Sequence, residues 1–185
     1  IRDVMFIDFA EDEKARGENA FSKMAKLAEE IPAGSEGLIV LPYFAGERTP
    51  INDANAKGVI FGLLLHHTRA HLYRAVLEGV AYSIAQHIDI LEENGLEIAQ
   101  FMCVGGGTKN KEWLQIIADV TGREIKTAEV TIGASYGDAM IAAVGTGHFQ
   151  SYLELENYIE VDKIIKPNIK NYEKYQSCLL YTSPS

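Results

Sequence analysis

A run of three glycines at residues 105–107 constrains the fold of this chain more than any other feature. It follows an apolar run, residues 98–104, that predicts a buried strand. It precedes apolar side chains at helical spacing in residues 114–121, where Gly122 ends the pattern. Because glycine has no Cβ, the chain can turn sharply here and leave its N–H groups accessible. The following helix directs its positive dipole end at the same place, so this order indicates an α/β fold whose backbone can approach a ligand.

Two familiar nucleotide-binding motifs do not explain this turn. No Gly-Lys-Ser or Gly-Lys-Thr triplet follows Gly107, as the P-loop requires, and Asn110 occupies the place of the third glycine in the dinucleotide fingerprint. Two interpretations remain open from the glycines alone. Either the turn binds a ligand through its backbone, or it is a tight connection in which Thr108 caps the helix.

Composition excludes several classes of protein. The 185 residues suffice for one domain with a core, and 47% hydrophobic with 23% charged residues is typical of soluble globular proteins. A net charge of -9 argues against a nucleic-acid partner. The apolar run at residues 59–65 is too short to span a membrane, and Cys103 and Cys178 form no motif. We therefore expect a cytoplasmic protein without nucleic-acid or membrane partners.

Helices, strands and turns alternate along the first half of the chain. Residues 19–30 have an amphipathic helical pattern, residues 38–41 predict a short buried strand, and residues 42–50 predict a loop with a proline at each end. A long helix then continues to about residue 91, and Gly79 within it is expected to permit close packing by a neighbour, at some cost in helix stability. We expect no metal site, because the histidines show no ligand spacing with carboxylates or cysteines. The predicted buried stripe of the long helix consists of Leu72, Val76, Val80, Ile84, His87, Ile88 and Leu91.

The C-terminal part carries a second turn and a change in composition. Residues 130–138 contain glycines that we interpret as packing positions rather than ligand contacts. Beyond residue 149 tyrosines alternate with charges, whereas residues 177–185 carry neither charge nor a helical period. We therefore predict a domain at residues 1–176 and a disordered or non-native tail at residues 177–185.

Several stretches of the chain resemble the carbohydrate kinases that are named for their FGGY motif. Residues 58–78 resemble the second signature of this family, complete through its closing acid, and residues 105–115 resemble its adenosine motif. Residues 42–50 and 133–143 are similar to the xylulose kinase branch of the family. The resemblance covers residues 1–175. It implies the C-terminal domain of the sugar kinase or actin-like ATPase (ribonuclease H-like) fold, truncated at its N-terminal strands.

The resemblance also implies an activity and a set of binding residues. The family transfers a phosphoryl group from ATP to a sugar hydroxyl, with Mg²⁺ as a further cofactor, in a cleft between two domains that close on each other. Xylulose is the substrate we expect, and gluconate, ribulose or another pentulose stay open. By motif position Gly106 and Asn110 match residues that hold the adenosine of ATP, and Gly105, Gly107, Thr108 and Lys109 flank them.

In this family the catalytic aspartate and most of the sugar site belong to an N-terminal domain that would precede Ile1. We therefore predict no catalytic residue within this chain, which begins without a methionine and which we expect to be part of a longer protein. Its expected partners are a sugar and the missing N-terminal domain, and a homodimer stays open. The alternative from another class is a non-catalytic nucleotide-binding or oligomerisation module. The sequence upstream of Ile1 would distinguish the two.

Overall fold

The computed structural model describes residues 1–130 and 133–182, and it describes side chains as far as Cys178. Helices and short strands alternate in these residues, which confirms the α/β class. In chain order the elements are α1 (Arg2–Met5), α2 (Ile7–Arg16), α3 (Ala20–Glu29), β1 (Ile39–Leu41), β2 (Val59–Phe61), α4 (Arg69–Glu93), β3 (Met102–Cys103), α5 (Lys111–Thr121), β4 (Ile125–Ala128), α6 (Ala134–Gly145), β5 (Val161–Ile165) and α7 (Ile169–Thr182).

The described strands form two small sheets. Strands β1 and β2 pair antiparallel, with Val40 opposite Ile60. In the second sheet β4 lies in the middle, parallel to β3 and antiparallel to β5. The parallel pair requires a crossover connection, and the glycine turn with α5 provides it. The apolar run at residues 98–104 therefore does contain a strand, although only Met102 and Cys103 pair with β4.

Helix α4 lies at the centre of the molecule. Helices α3 and α5 pack on it from one side, and β1 packs on it from the other. The main core combines residues of α3, α4, α5, β4 and α7. Its most deeply buried members are Phe6, Met24, Ala28, Ala81, Ile116, Ala118, Val120, Ile125 and Tyr175.

The predicted buried stripe of α4 is wrong for most of its members. Leu72 and Val76 are half-buried against β1, and Leu91 is 42% exposed. The fully buried face instead carries Tyr73 and Leu77, small alanines, and two charged side chains. Both sides of the helix are covered by other elements. The apolar periodicity identified the side with large aliphatic residues, which packs on β1. The opposite side, which carries alanines and charged residues, packs in the main core.

A buried ion pair on this face connects α4 to the C-terminal helix. The Nε of Arg74 donates to Oε1 of Glu78 at 2.9 Å. The same carboxylate accepts hydrogen bonds from the Gly34 N–H (2.9 Å), the Ser35 hydroxyl (2.7 Å) and the Tyr175 hydroxyl (2.8 Å). Burial and the adjacent carboxylate raise the pKa of the Tyr175 phenol, so it stays a neutral donor. The network therefore holds α7 and the loop after α3 onto α4.

Helix α7 continues into residues 177–185, the segment predicted to be a disordered or non-native tail. It extends as far as Thr182, and Cys178 packs against the main core. Tyr175 and Cys178 are three residues apart and so share one helix face, and no proline occurs between Asn168 and Ser183. The structure thus places a helix in much of this segment. Residues 183–185 lie outside the described part, and the division between domain and tail stays a prediction.

Gly79 marks the place where α4 approaches β1 most closely. A Cβ at this position would lie 2.1 Å from the carbonyl oxygen of Val40. The expectation that Gly79 permits close packing is therefore confirmed.

Replacing Gly79 with alanine is expected to lower the free energy of unfolding by about 1–3 kcal/mol, because the helix and the strand must separate. Alanine's better helix propensity, about 1 kcal/mol, offsets part of this loss. Urea unfolding measures the change. Gly137→Ala in α6 is the control, because its Cβ would meet nothing within 4 Å and should leave stability equal or higher. Equal stability of Gly79→Ala and the wild type would contradict the prediction.

Candidate functional site

The glycine turn leads directly into the N-terminus of α5. Gly105 has a φ of 87°, a conformation that side chains with a Cβ rarely adopt. The Thr108 hydroxyl donates to the carbonyl of Gly105 at 2.7 Å, and the Oδ1 of Asn110 accepts the N–H of Trp113 at 3.1 Å. Thr108 therefore stabilises the turn. The interpretation that Thr108 caps the helix is wrong, because Asn110 is the cap.

The three glycines differ in why they lack a side chain. At Gly107 a Cβ would lie 2.6 Å from the Trp113 ring, so packing alone explains a glycine. At Gly105 the positive φ explains it. Gly106 has neither reason, because its φ is not positive and a Cβ would meet nothing within 4 Å. The exposed backbone at Gly106 therefore faces open space rather than another part of the protein.

A cavity of about 480 Å³ lies beside this backbone. Three helices and the glycine turn surround it, and most of its lining is apolar. Lys109 at the exposed rim is the cation among the lining residues. The lining residues are Gly106, Gly107, Lys109 and Asn110 from the turn, Trp113 from α5, Tyr73 and Leu77 from α4, Phe21, Ser22 and Ala25 from α3, and Asn19, which caps α3.

The structure brings four of the six predicted binding residues to this cavity. Gly105 and Thr108 do not line it, and they shape the turn instead. The contribution of α3 was not predicted. Its sequence shows an amphipathic helix with an asparagine cap, but nothing in that pattern indicates that its first turn faces the glycine turn across a cavity.

Tyr73 and Asn110 meet at the inner side of the cavity. Burial raises the pKa of the Tyr73 phenol, and the neighbouring Asn110 side chain opposes this shift. The phenol is therefore uncharged at neutral pH. The inner surface of the cavity thus offers neutral hydrogen-bonding groups among apolar side chains, a lining that suits an uncharged heterocycle.

The loop at residues 42–50 is closed by its own acidic residue. The carboxylate of Glu47 accepts the backbone N–H groups of Thr49 and Ile51 at 2.8 Å and of Asn52 at 3.2 Å. This carboxylate therefore stabilises the loop. The second glycine-bearing turn, residues 130–138, includes residues 131 and 132, which lie outside the described part of the chain, so its interpretation stays a prediction.

Ligand atoms of Glu36, His66 and His67 lie within 4.8 Å of one another. The Nε2 of His66 is 3.2 Å from Oε2 of Glu36. In His67, however, Nδ1 accepts the N–H of Leu64 at 3.0 Å, which places the proton of the neutral ring on Nε2 and leaves no free lone pair. Glu36 and His66 alone do not form a closed metal site, so we assign no metal ion to this cluster.

Comparison with known proteins shows which family this chain is similar to. The family model described as "FGGY family of carbohydrate kinases, C-terminal domain" matches residues 5–146. The chain belongs to this family. A xylulose kinase from Staphylococcus epidermidis is 38% identical over 158 residues, which are 85% of this chain and 32% of that protein.

Solved structures show the same similarity. The xylulose kinase from Rhodospirillum rubrum matches with a TM-score of 0.77 and 35% identity over 90% of this chain and 33% of its own. The gluconate kinase from Lactobacillus acidophilus matches with a TM-score of 0.78 and 29% identity over 95% of this chain and 36% of its own. The chain thus spans about a third of the length of these relatives. Among the described residues, no helix is both long and apolar enough to cross a membrane.

Proposed function

We propose that this chain is the adenosine-binding part of an ATP-dependent sugar kinase that phosphorylates a ketopentose. The observation that carries the proposal is the cavity beside Gly106. It adjoins five residues of the stretch that resembles the family's adenosine motif, and its lining suits a purine ring. The bare backbone at Gly106 allows a flat ligand to approach closely, and Lys109 at the rim suits the phosphates that would extend from it.

The cavity lining also bears on the metal. None of the lining residues carries a carboxylate, so the cavity itself does not fit a Mg²⁺ ion, which prefers oxygen ligands. We propose that Mg²⁺ arrives with the phosphates of ATP and that the remainder of the protein supplies any carboxylate ligand.

The identity of the sugar is the less constrained part of the proposal. We propose xylulose, because relatives at 38% and 35% identity are named xylulose kinases. The gluconate kinase superposes with a similar TM-score, so the fold of this part does not discriminate between the two sugars. Gluconate, ribulose and other pentuloses therefore belong in every substrate panel.

Trp113 provides a direct test of nucleotide binding. It is the only tryptophan in the sequence, and it lines the cavity. We expect adenosine, AMP, ADP and ATP to change its fluorescence in a saturable way, with cytidine as the control ligand. Isothermal titration calorimetry should give the same dissociation constants. If adenine nucleotides at millimolar concentrations produce neither a fluorescence change nor heat, the proposed site is wrong.

We expect the chain by itself to show no sugar-dependent ATP turnover. The attacking hydroxyl needs a base, and the family resemblance places that aspartate in a domain outside these residues. The assay follows ADP release with ATP, Mg²⁺ and a panel of pentuloses and aldonates. Turnover above that of a Gly106→Val variant would overturn this expectation and require a base within the chain.

Binding of adenosine without a kinase domain encoded upstream would favour the alternative, a non-catalytic nucleotide-binding module.

A further inference from the structure

We propose that Arg74 is a positioning residue for the cavity. Its guanidinium fixes the relative placement of α3, α4 and α5, the three helices that surround the cavity. The proposal rests on the proposed function, in that the cavity is taken to hold adenosine. It concerns a residue that does not itself line the cavity and that no adenosine motif includes.

The contacts of Arg74 extend from α4 to each neighbouring helix. Its Nη1 donates to the Ala28 carbonyl of α3 at 3.0 Å and to Oε1 of Glu112 in α5 at 2.7 Å. Within α4, its Nε donates to Glu78 at 2.9 Å, and its Nη2 donates to the Tyr175 hydroxyl of α7 at 3.1 Å. One side chain therefore joins all three helices of the cavity and attaches them to the C-terminal helix.

Arg74 itself and its contacts in α3 and α5 lie close in sequence to residues that line the cavity. Arg74 follows Tyr73 directly, and Glu112 precedes Trp113 directly. Ala28 lies three residues after Ala25, on the same face of α3. A shift at Arg74, Glu112 or Ala28 would therefore move a lining residue. This distinguishes Arg74 from an ion pair that stabilises a remote part of the core.

The chemistry of arginine suits this role. Its planar guanidinium carries five N–H donors in a fixed geometry, so several acceptors in different directions become linked rigidly. The side chain of Arg74 is only 5% exposed, which keeps water from competing for these bonds. Burial alone would lower its pKa, but Tyr175 and Glu78 raise the pKa well above its usual value, so the charge is permanent. A lysine has one ammonium group and cannot reach all four partners together.

Glu112→Ala is the sharpest test, because it removes the α5 contact and leaves the other bonds of Arg74 in place. We expect the dissociation constant for adenosine to rise by about threefold to tenfold, as for one lost charge-assisted hydrogen bond. We also expect the emission of Trp113 in the unliganded protein to shift to longer wavelength as α5 loosens. Glu112→Gln keeps an acceptor oxygen and should restore most of the affinity, and Arg74→Lys, if it folds, should resemble Glu112→Ala.

Glu92→Ala is the matched control. It removes a carboxylate from a more exposed ion pair with Arg123, and neither residue lines the cavity. Affinity and Trp113 emission should both match the wild type. If Glu112→Ala lowers the melting temperature but leaves affinity and unliganded emission unchanged, Arg74 is purely structural and the proposal is wrong. If the wild type does not bind adenosine, the proposed function fails, and the unliganded emission of Trp113 still decides whether Glu112 and Arg74 position α5.

Discussion

Gly106→Val is expected to weaken adenosine binding by about tenfold to a hundredfold, which corresponds to about 1.4–2.8 kcal/mol. The reason is geometric. A Cβ at Gly106 would meet no protein atom within 4 Å, and Gly106 lines the cavity, so we expect a valine side chain to occupy room that a bound ligand would need. The backbone itself tolerates the change, because Gly106 does not have a positive φ. The fold should therefore persist while affinity falls.

Trp113 fluorescence and calorimetry measure this loss, and the melting temperature reports on the fold. Gly145→Val is the matched control, because Gly145 lies at the end of α6 and its Cβ would also meet nothing. It should bind adenosine as the wild type does. A well-folded Gly106→Val protein with wild-type affinity would show that the ligand does not approach this backbone.

Glu78→Ala is expected to lower the free energy of unfolding by about 3–5 kcal/mol, the usual consequence of removing one partner of a buried ion pair. The side chain of Glu78 is 1% exposed, and Arg74 would remain buried without it. The Gly34 N–H and the hydroxyls of Ser35 and Tyr175 would lose their acceptor as well. Buried donors without acceptors add to the loss, because they are cut off from water.

Urea unfolding, followed by circular dichroism, gives the size of this effect. Glu78→Gln keeps an acceptor oxygen and should cost less, about 1–3 kcal/mol. The comparison variant is Glu92→Ala, whose partly exposed pair with Arg123 should contribute about 1 kcal/mol or less. The network has no such role in stability if Glu78→Ala and Glu92→Ala unfold at the same urea concentration.

Local sequence signals predicted the glycine turn and its helix well. Gly122 ends α5 in the left-handed conformation, as its position indicated. The cap considered from the sequence, Thr108, lies two residues before the actual cap, Asn110, and both residues are of types that caps favour. These features depend on neighbouring residues along the chain, so the sequence contains most of the information. Gly79 was also interpreted correctly, because a glycine within a predicted helix indicated that another element packs closely against it.

Features that depend on tertiary contacts were harder to predict. The face of α4 that packs in the main core carries Arg74 and Glu78. Charged residues are almost never buried without a partner, so the sequence alone predicts an exposed face unless the partners are known. Those partners lie up to 101 residues away, as Tyr175 does from Arg74. The α3 side of the cavity was missed for the same reason, because Phe21 and Ser22 face the glycine turn only in the folded chain.

The close approach of Gly79 to Val40 also limits how this part of the protein can move. Helix α4 cannot slide along β1 without forcing backbone into backbone, and on its other side Arg74 fixes it to α3, α5 and α7. Closely packed elements of this kind shift as units rather than deform. If a second domain closes over a nucleotide bound here, the cavity beside Gly106 should therefore travel as a rigid body, and the hinge should lie outside these helices.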